Sequence, residues 1–264
     1  MSILQPTPIV AHSGSHTLPR VIAVASGKGG VGKTWFSIAL AHTLAQSGAR
    51  VLLFDGDLGL ANVDVQLGLK SDVDLARFAA GTAALEDLII GYDPGGFDII
   101  LGRSGMQQLS MLGGKRLQAL AIELRGLANA YDTVILDLGA GIGAHVRTLA
   151  AAAALQLVLA TDEPTALTDA YALIKLTRQA EPAARLAAVI NMAASRREGD
   201  RTYGTLLKAC QNFLQFDLPL AGVIRRDPRV RDAVKAQMPS TLRSPSSPAA
   251  EDVAQLAAQW RCGA

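Results

Sequence analysis

One octapeptide constrains this chain more than anything else in it: Gly27-Lys28-Gly29-Gly30-Val31-Gly32-Lys33-Thr34. An apolar run, Val21-Ile22-Ala23-Val24-Ala25, precedes it, and a helical pattern beginning at Trp35 follows. The loop therefore joins a buried strand to a helix N-terminus. Glycines let backbone N–H groups converge on an anion, and the unpaired amides of the first helical turn add a partial positive charge. Gly27, Gly32, Lys33 and Thr34 fit the phosphate-binding spacing G-x-x-x-x-G-K-[ST], in which the lysine reaches the β/γ-phosphates and the hydroxyl ligates Mg²⁺. A strand, a phosphate loop and a helix in that order belong to an α/β fold with a mostly parallel sheet.

The wider chain agrees with that frame. Its 264 residues are half hydrophobic and can bury a large core, and strands alternating with helices predict one doubly wound α/β domain of seven or eight strands over residues 20–264. Residues 1–19, rich in Pro, Ser, Thr and His, are expected to form a flexible arm. Lys and Arg number 25 against 23 Asp and Glu, a balance that predicts no obligatory nucleic-acid partner. Cys210 and Cys262 stand far apart with no metal-binding spacing, which argues against a zinc or iron–sulfur centre and for a reducing compartment. With no membrane-length apolar run and no signal-peptide order, the expected place is the cytoplasm.

Two further acidic motifs follow apolar runs. Val51-Leu52-Leu53-Phe54 ends in Asp55-Gly56-Asp57 and continues to Asn62 and Asp64; Tyr131-Asp132-Thr133-Val134-Ile135-Leu136 ends in Asp137 and the glycine-rich Leu138-Gly139-Ala140-Gly141-Ile142-Gly143. An acid ending the second strand could instead bind a ribose hydroxyl, but that use goes with G-x-G-x-x-G and no Lys-Thr pair. Phosphoryl transfer needs water held in line and charge neutralised around the γ-phosphate, and these acids and glycines are suited to both.

The lysine that follows the first glycine, Lys28, makes the loop similar to the deviant phosphate loop of the MinD/ParA ATPases. The resemblance implies ATP and Mg²⁺ as ligands and a sandwich homodimer in the ATP state, in which Lys28 reaches the other subunit's ATP. It assigns Asp57 to orienting the attacking water, Asn62 to the same switch, and Thr34 with Asp137 to Mg²⁺, the latter through water. Gly27 to Thr34 would hold the phosphates, the Gly139 and Gly141 amides would sense the γ-phosphate, and Asn191 would meet the adenine edge. The segments after Asp57 and Asp137, with Asp162-Glu163-Pro164-Thr165, most resemble the FlhG (FleN) branch that sets flagellar number and placement. That branch implies protein partners, the flagellar GTPase FlhF or a flagellar transcription activator, and a station at the cell pole or the inner-membrane periphery. A short Asp-Gln-Ala-containing helix by which relatives stimulate FlhF is not found in residues 1–19.

Several segments read as packing or as partner surface. Leu75 to Ile90 is expected to form short helices, Phe97 to Leu101 a strand, and Arg116 to Ala130 a helix. Arg225, Arg226, Arg229, Arg231 and Lys235, with Arg196, Arg197 and Arg201, would form a solvated or partner-docking basic face, since no aromatic residues interleave as in a DNA-binding one. Ala249 to Trp260 is a closing helix whose acidic start, Glu251-Asp252, disfavours an anionic bilayer, so membrane contact is not expected of it. Two other functions remain open at this level: an antiactivator that binds nucleotide without needing turnover, and a ParA-type partition ATPase on DNA.

Overall fold

The structure, a computed structural model of the chain, describes residues 18–57, 61–71, 73, 75–102 and 113–260. Eight strands form one sheet: β1 (Val21–Ser26), β2 (Val51–Gly56), β3 (Ile89–Tyr92), β4 (Phe97–Ile100), β5 (Thr133–Ala140), β6 (Leu155–Ala160), β7 (Leu186–Ala193) and β8 (Leu220–Arg225). Their spatial order is β3-β4-β2-β5-β1-β6-β7-β8, with every neighbouring pair parallel except β3–β4. The fully buried central strands read as continuous apolar runs because both faces are covered.

Ten α-helices are described: α1 (Lys33–Gln46), α2 (Val63–Leu67), α3 (Leu75–Ala80), α4 (Gly114–Leu127), α5 (Ala144–Ala150), α6 (Pro164–Ala180), α7 (Arg196–Leu214), α8 (Pro228–Lys235), α9 (Ser240–Arg243) and α10 (Pro248–Ala257). One core layer joins Val21, Ala23, Leu52, Phe54, Val134 and Leu136 to the apolar stripes of α4 to α7. The other joins Ile22, Val24, Leu53, Ile135 and Leu157 to α1 and α10. Alternate strand residues supply the two layers, as the pleat requires. α1 is buried along almost its whole length. Two buried hydrogen bonds also staple it to α9, from Trp35 Nε1 to Ser240 Oγ (2.8 Å) and between His42 Nδ1 and Thr241 Oγ1 (2.8 Å).

Three expectations need correction. Ile89 and Ile90 are not helical: they begin β3, which pairs antiparallel with β4 across a turn where Gly96 takes φ +68°. Leu18 is buried and Pro19 O accepts from Thr133 Oγ1 (2.7 Å), so the folded domain starts at least two residues before position 20; residues 1–17 of the expected arm lie outside the described residues. The basic face loses two of its members, because Arg196 and Arg225 both bond the buried carboxylate of Asp252 at the start of α10. α10 itself lies on β8 and α1 through Ala249, Val253, Leu256 and Ala257, and Trp260 is buried just beyond it.

Candidate functional site

The sheet order explains why three distant motifs meet. β5 lies between β2 and β1, so the segments leaving the C-terminal ends of β1, β2 and β5 are neighbours on one edge, where ligands bind in open parallel sheets. Asp137 is the register partner of both Asp55 and Val24. The phosphate loop, the Asp55-Gly56-Asp57 turn and the loop after Asp137 thus form one site.

Two glycines of the phosphate loop are fixed by what presses on them. A methyl group at Gly27 would stand 2.2 Å from Asp169 O of α6, and one at Gly32 would stand 2.5 Å from Asn191 Nδ2, where φ is also +89°. Gly32 caps α1 with no side-chain hydrogen bond and no acid in the first turn, leaving the helix-start amides for an anion. Asn191, buried at the end of β7, donates from Nδ2 to Val31 O at 2.8 Å. In this structure its amide therefore braces the loop from below.

Lys33 is 8 % exposed; burial lowers its pKa, while Asp137 and Asp57 pull it back up. Asp137 is 1 % exposed, and burial pushes its carboxyl up to about 6 against the opposing pull of Thr34, Lys33 and Ser37. Ser37 Oγ donates to Asp137 Oδ1 at 3.0 Å. Asp55 is fully buried and raised well above the usual carboxylate range by desolvation and by the Asp137 charge. Two buried acids beside a lysine and a threonine hydroxyl make a place that gains from a divalent cation. No cluster of three His, Cys, Asp or Glu side chains that could cage a metal occurs among the described residues. A hydroxyl, one carboxylate, water and phosphate oxygens are the donor set Mg²⁺ ordinarily takes, so Thr34 and Asp137 fit that ion.

Asp57 leaves β2 beside the other switch: a methyl group on Gly139 would lie 3.2 Å from Asp57 Oδ1. Gly141, at φ +98°, donates its amide to Ser26 O at 2.9 Å, so that candidate γ-phosphate sensor is occupied within the chain here. Asn62 stands at the N-cap position of α2 without a side-chain capping hydrogen bond to it, while Leu58, Gly59 and Leu60 lie outside the described residues.

Four contacts escaped sequence reasoning. Asp55 does not point at a ribose site: its oxygens accept from Val63 N (3.1 Å) and Asp57 N (3.3 Å), tying both ends of the first switch to β2. Ser37 sits one helical turn beyond Lys33 and faces Asp137. Asp169 packs on Gly27. Lys28 Nζ bonds Glu163 Oε2 and Thr165 Oγ1 (2.8 Å), so the signature lysine is tethered to the start of α6. The Glu163-Pro164-Thr165 string was the available signal for that tether, although nothing local says which side chain it holds.

This geometry defines a P-loop nucleotide-binding ATPase domain, with the phosphate loop and two switch segments on one sheet edge. The chain belongs to the CobQ/CobB/MinD/ParA nucleotide-binding domain family, whose model matches residues 22–240. It is 41 % identical over 250 residues to the antiactivator FleN of Pseudomonas aeruginosa, covering 94 % of this chain and 89 % of that protein. It is 31 % identical over 258 residues to the flagellum site-determining protein YlxH of Helicobacter pylori, covering 97 % and 86 %. Among solved structures, the septum site-determining protein MinD of Pyrococcus horikoshii, complexed with Mg-ADP, superposes with a TM-score of 0.77 at 27 % identity over 90 % of this chain and 94 % of that one.

Proposed function

We propose that the protein is an ATP-hydrolysing, dimerising switch of the MinD/ParA type that regulates the number or placement of flagella. The observation that carries the switch is the convergence of Lys33, Thr34 and Asp137 with Asp57, which stands beside Gly139 of the opposite switch segment. The flagellar role is supported by the similarity to FleN and YlxH over nearly the whole chain.

Lys33 and the loop amides bind the triphosphate, and Thr34 and Asp137 hold Mg²⁺. The ion, once bound, neutralises charge on the phosphoryl oxygens. Asp57 accepts a hydrogen bond from the attacking water and keeps it in line. Asp55, through the amides of Asp57 and Val63, fixes where that carboxylate stands. Lys28 leaves Glu163 and Thr165 to reach the other subunit's phosphates, and Gly141 exchanges Ser26 O for the γ-phosphate. Both moves couple dimerisation to ATP by giving the triphosphate contacts it makes only in the closed state. The dimer then offers a surface to FlhF or to a flagellar transcription activator, in the cytoplasm, at the cell pole or along the inner membrane. A second reading, in which the protein restrains a transcription activator by binding alone, is tested beside it because the relative FleN is an antiactivator.

ATP turnover by the wild type and by Asp57→Ala, alongside flagellar counts in cells carrying each, separates the two readings. The switch requires Asp57→Ala to bind ATP, lose hydrolysis and miscount flagella; normal flagella without hydrolysis would leave only the binding role.

A further inference from the structure

A buried hydroxyl near the phosphate loop has nothing to bond. Thr161, the residue after β6, is 5 % exposed, and its Oγ1 finds no hydrogen-bond partner among the described residues. Buried hydroxyls in native proteins are mostly paired, because an unpaired one costs free energy. This one calls for an acceptor that the present arrangement does not give it.

Its place follows from the sheet. β6 lies between β1 and β7, and Ala160 of β6 pairs with Ile190 of β7, so Thr161 and Asn191 come next on adjoining strands. Leu157 and Leu159 of β6, with Ala187 and Val189 of β7, belong to the α1 layer, whereas Val158, Ala160, Ala188 and Ile190 belong to the other. The alternation turns Thr161 and Asn191 towards α1 and the phosphate loop. Asn191 reaches that loop, donating from Nδ2 to Val31 O at 2.8 Å. The loop rises from β1, so the bond passes over the end of β6, and Thr161 stands beneath it.

The end of β7 is built to aim the carboxamide. The β7–β8 register breaks between Ile190 and Ala193, and Met192 is held at φ +57°. A methionine seldom takes that conformation, and a bulge of this kind re-aims the side chains beside it. While the Asn191 carboxamide braces the loop, it is not free to pair its donor and acceptor with a purine edge. Once it turns to a base, the carbonyl of Val31, a residue only 3 % exposed, loses its donor.

We propose that Thr161 is a positioning residue of the nucleotide site, whose hydroxyl takes over Val31 O when the Asn191 carboxamide turns to the purine. The inference rests on the nucleotide-switch reading and adds to it a means of sensing the base. One donor replaces the other, so the loop keeps its brace and Asn191 is released without leaving a buried carbonyl bare. A polyphosphate without a base leaves Asn191 on the loop, and Thr161 then contributes nothing.

The test titrates ADP–Mg²⁺ by calorimetry into the full chain as wild type, Thr161→Val, Thr161→Ser, Asn191→Ala and the Asn191→Ala/Thr161→Val double variant. Each protein is also melted without nucleotide. Valine keeps the β-branched shape and removes the hydroxyl. Thr161→Val is expected to weaken ADP binding about tenfold, and Thr161→Ser to stay within about twofold of the wild type. In the Asn191→Ala background valine should cost nothing further, because Val31 O then has no carboxamide to lose. Without nucleotide, Thr161→Val should melt no lower than the wild type, since its hydroxyl had no partner to give up. The proposal is overturned if Thr161→Val binds ADP as the wild type does, or if valine weakens binding equally with and without Asn191. A lowered melting temperature for Thr161→Val without nucleotide would also overturn it, marking the hydroxyl as an ordinary structural group. Wild-type protein that takes up no ADP would strike the nucleotide reading itself, whereas wild-type binding that valine leaves unchanged strikes the role of Thr161 alone.

Discussion

Replacing Asp252 with alanine should destabilise the protein more than any other single change on α10. Its side chain is fully buried and accepts from Arg225 N (2.9 Å), Arg225 Nε (2.8 Å), Arg225 Nη2 (3.0 Å) and Arg196 Nη2 (2.5 Å). Truncation leaves a β8 amide and two guanidinium groups without that acceptor. Removing one partner of a buried pair costs about 3–5 kcal/mol, most of it the penalty of the charge left behind. Arg225 is 29 % and Arg196 49 % exposed, so water recovers part of that loss and the low end, about 3 kcal/mol, is expected. Asp252→Asn keeps the shape and one acceptor oxygen and should cost about half as much. Urea unfolding followed by tryptophan fluorescence reads both values. A loss below about 1 kcal/mol for the alanine variant would mean that Val253, Leu256 and Trp260 hold the helix unaided, and would refute the ionic anchor.

Further outcomes are expected at the site. Gly27→Ala should weaken ADP binding at least about tenfold by calorimetry, because its methyl group meets Asp169 O and α6 must move off the loop. Asp137→Asn should abolish Mg²⁺ dependence yet stabilise the nucleotide-free protein at pH 7. The native carboxyl titrates at about 6 against an ordinary 3.8, so the ionised form is disfavoured by up to about 3 kcal/mol, a gain that fades as pH falls from 6 towards 4. His42 has the opposite sign: burial lowers its pKa from 6.5, and Nε2 has no partner among the described residues. Its neutral form is the stable one, so its contribution is complete above pH 6.5 and is lost below, at a slope of at most about 1.4 kcal/mol per pH unit. The stability of wild type minus His42→Gln, from urea melts at pH 7.5 and 5.5, should shrink at the lower pH. Glu163→Gln should shift ATP-induced dimerisation, followed by light scattering, to lower protein concentration by no more than about fivefold, since the tether it weakens is exposed.

What could be read from the chain and what could not divide along physical lines. The phosphate loop, Asp57 and Asp137 each end an apolar run, and a run buried on both faces is visible without knowing its neighbours. β3 was missed because Ile89-Ile90-Gly91-Tyr92 is a short edge strand whose partner pairs antiparallel; the Asp93-Pro94-Gly95-Gly96 turn was the signal that could have found it. The uses of Lys28, Asp55 and Asp252 were hidden for another reason. Lys28 meets Glu163 across 135 positions, and Asp252 meets Arg196 across 56, so no local periodicity encodes them. Arg196 and Arg225 therefore looked like surface charge when they are the counterions of a buried helix start.

The most direct measurement is the solution mass, by light scattering, of Asp57→Ala protein with ATP–Mg²⁺, beside the same protein also carrying Lys28→Ala. The switch requires a dimer that forms with ATP and disappears when Lys28 is removed. A monomer in both proteins, or a dimer indifferent to Lys28, would contradict it.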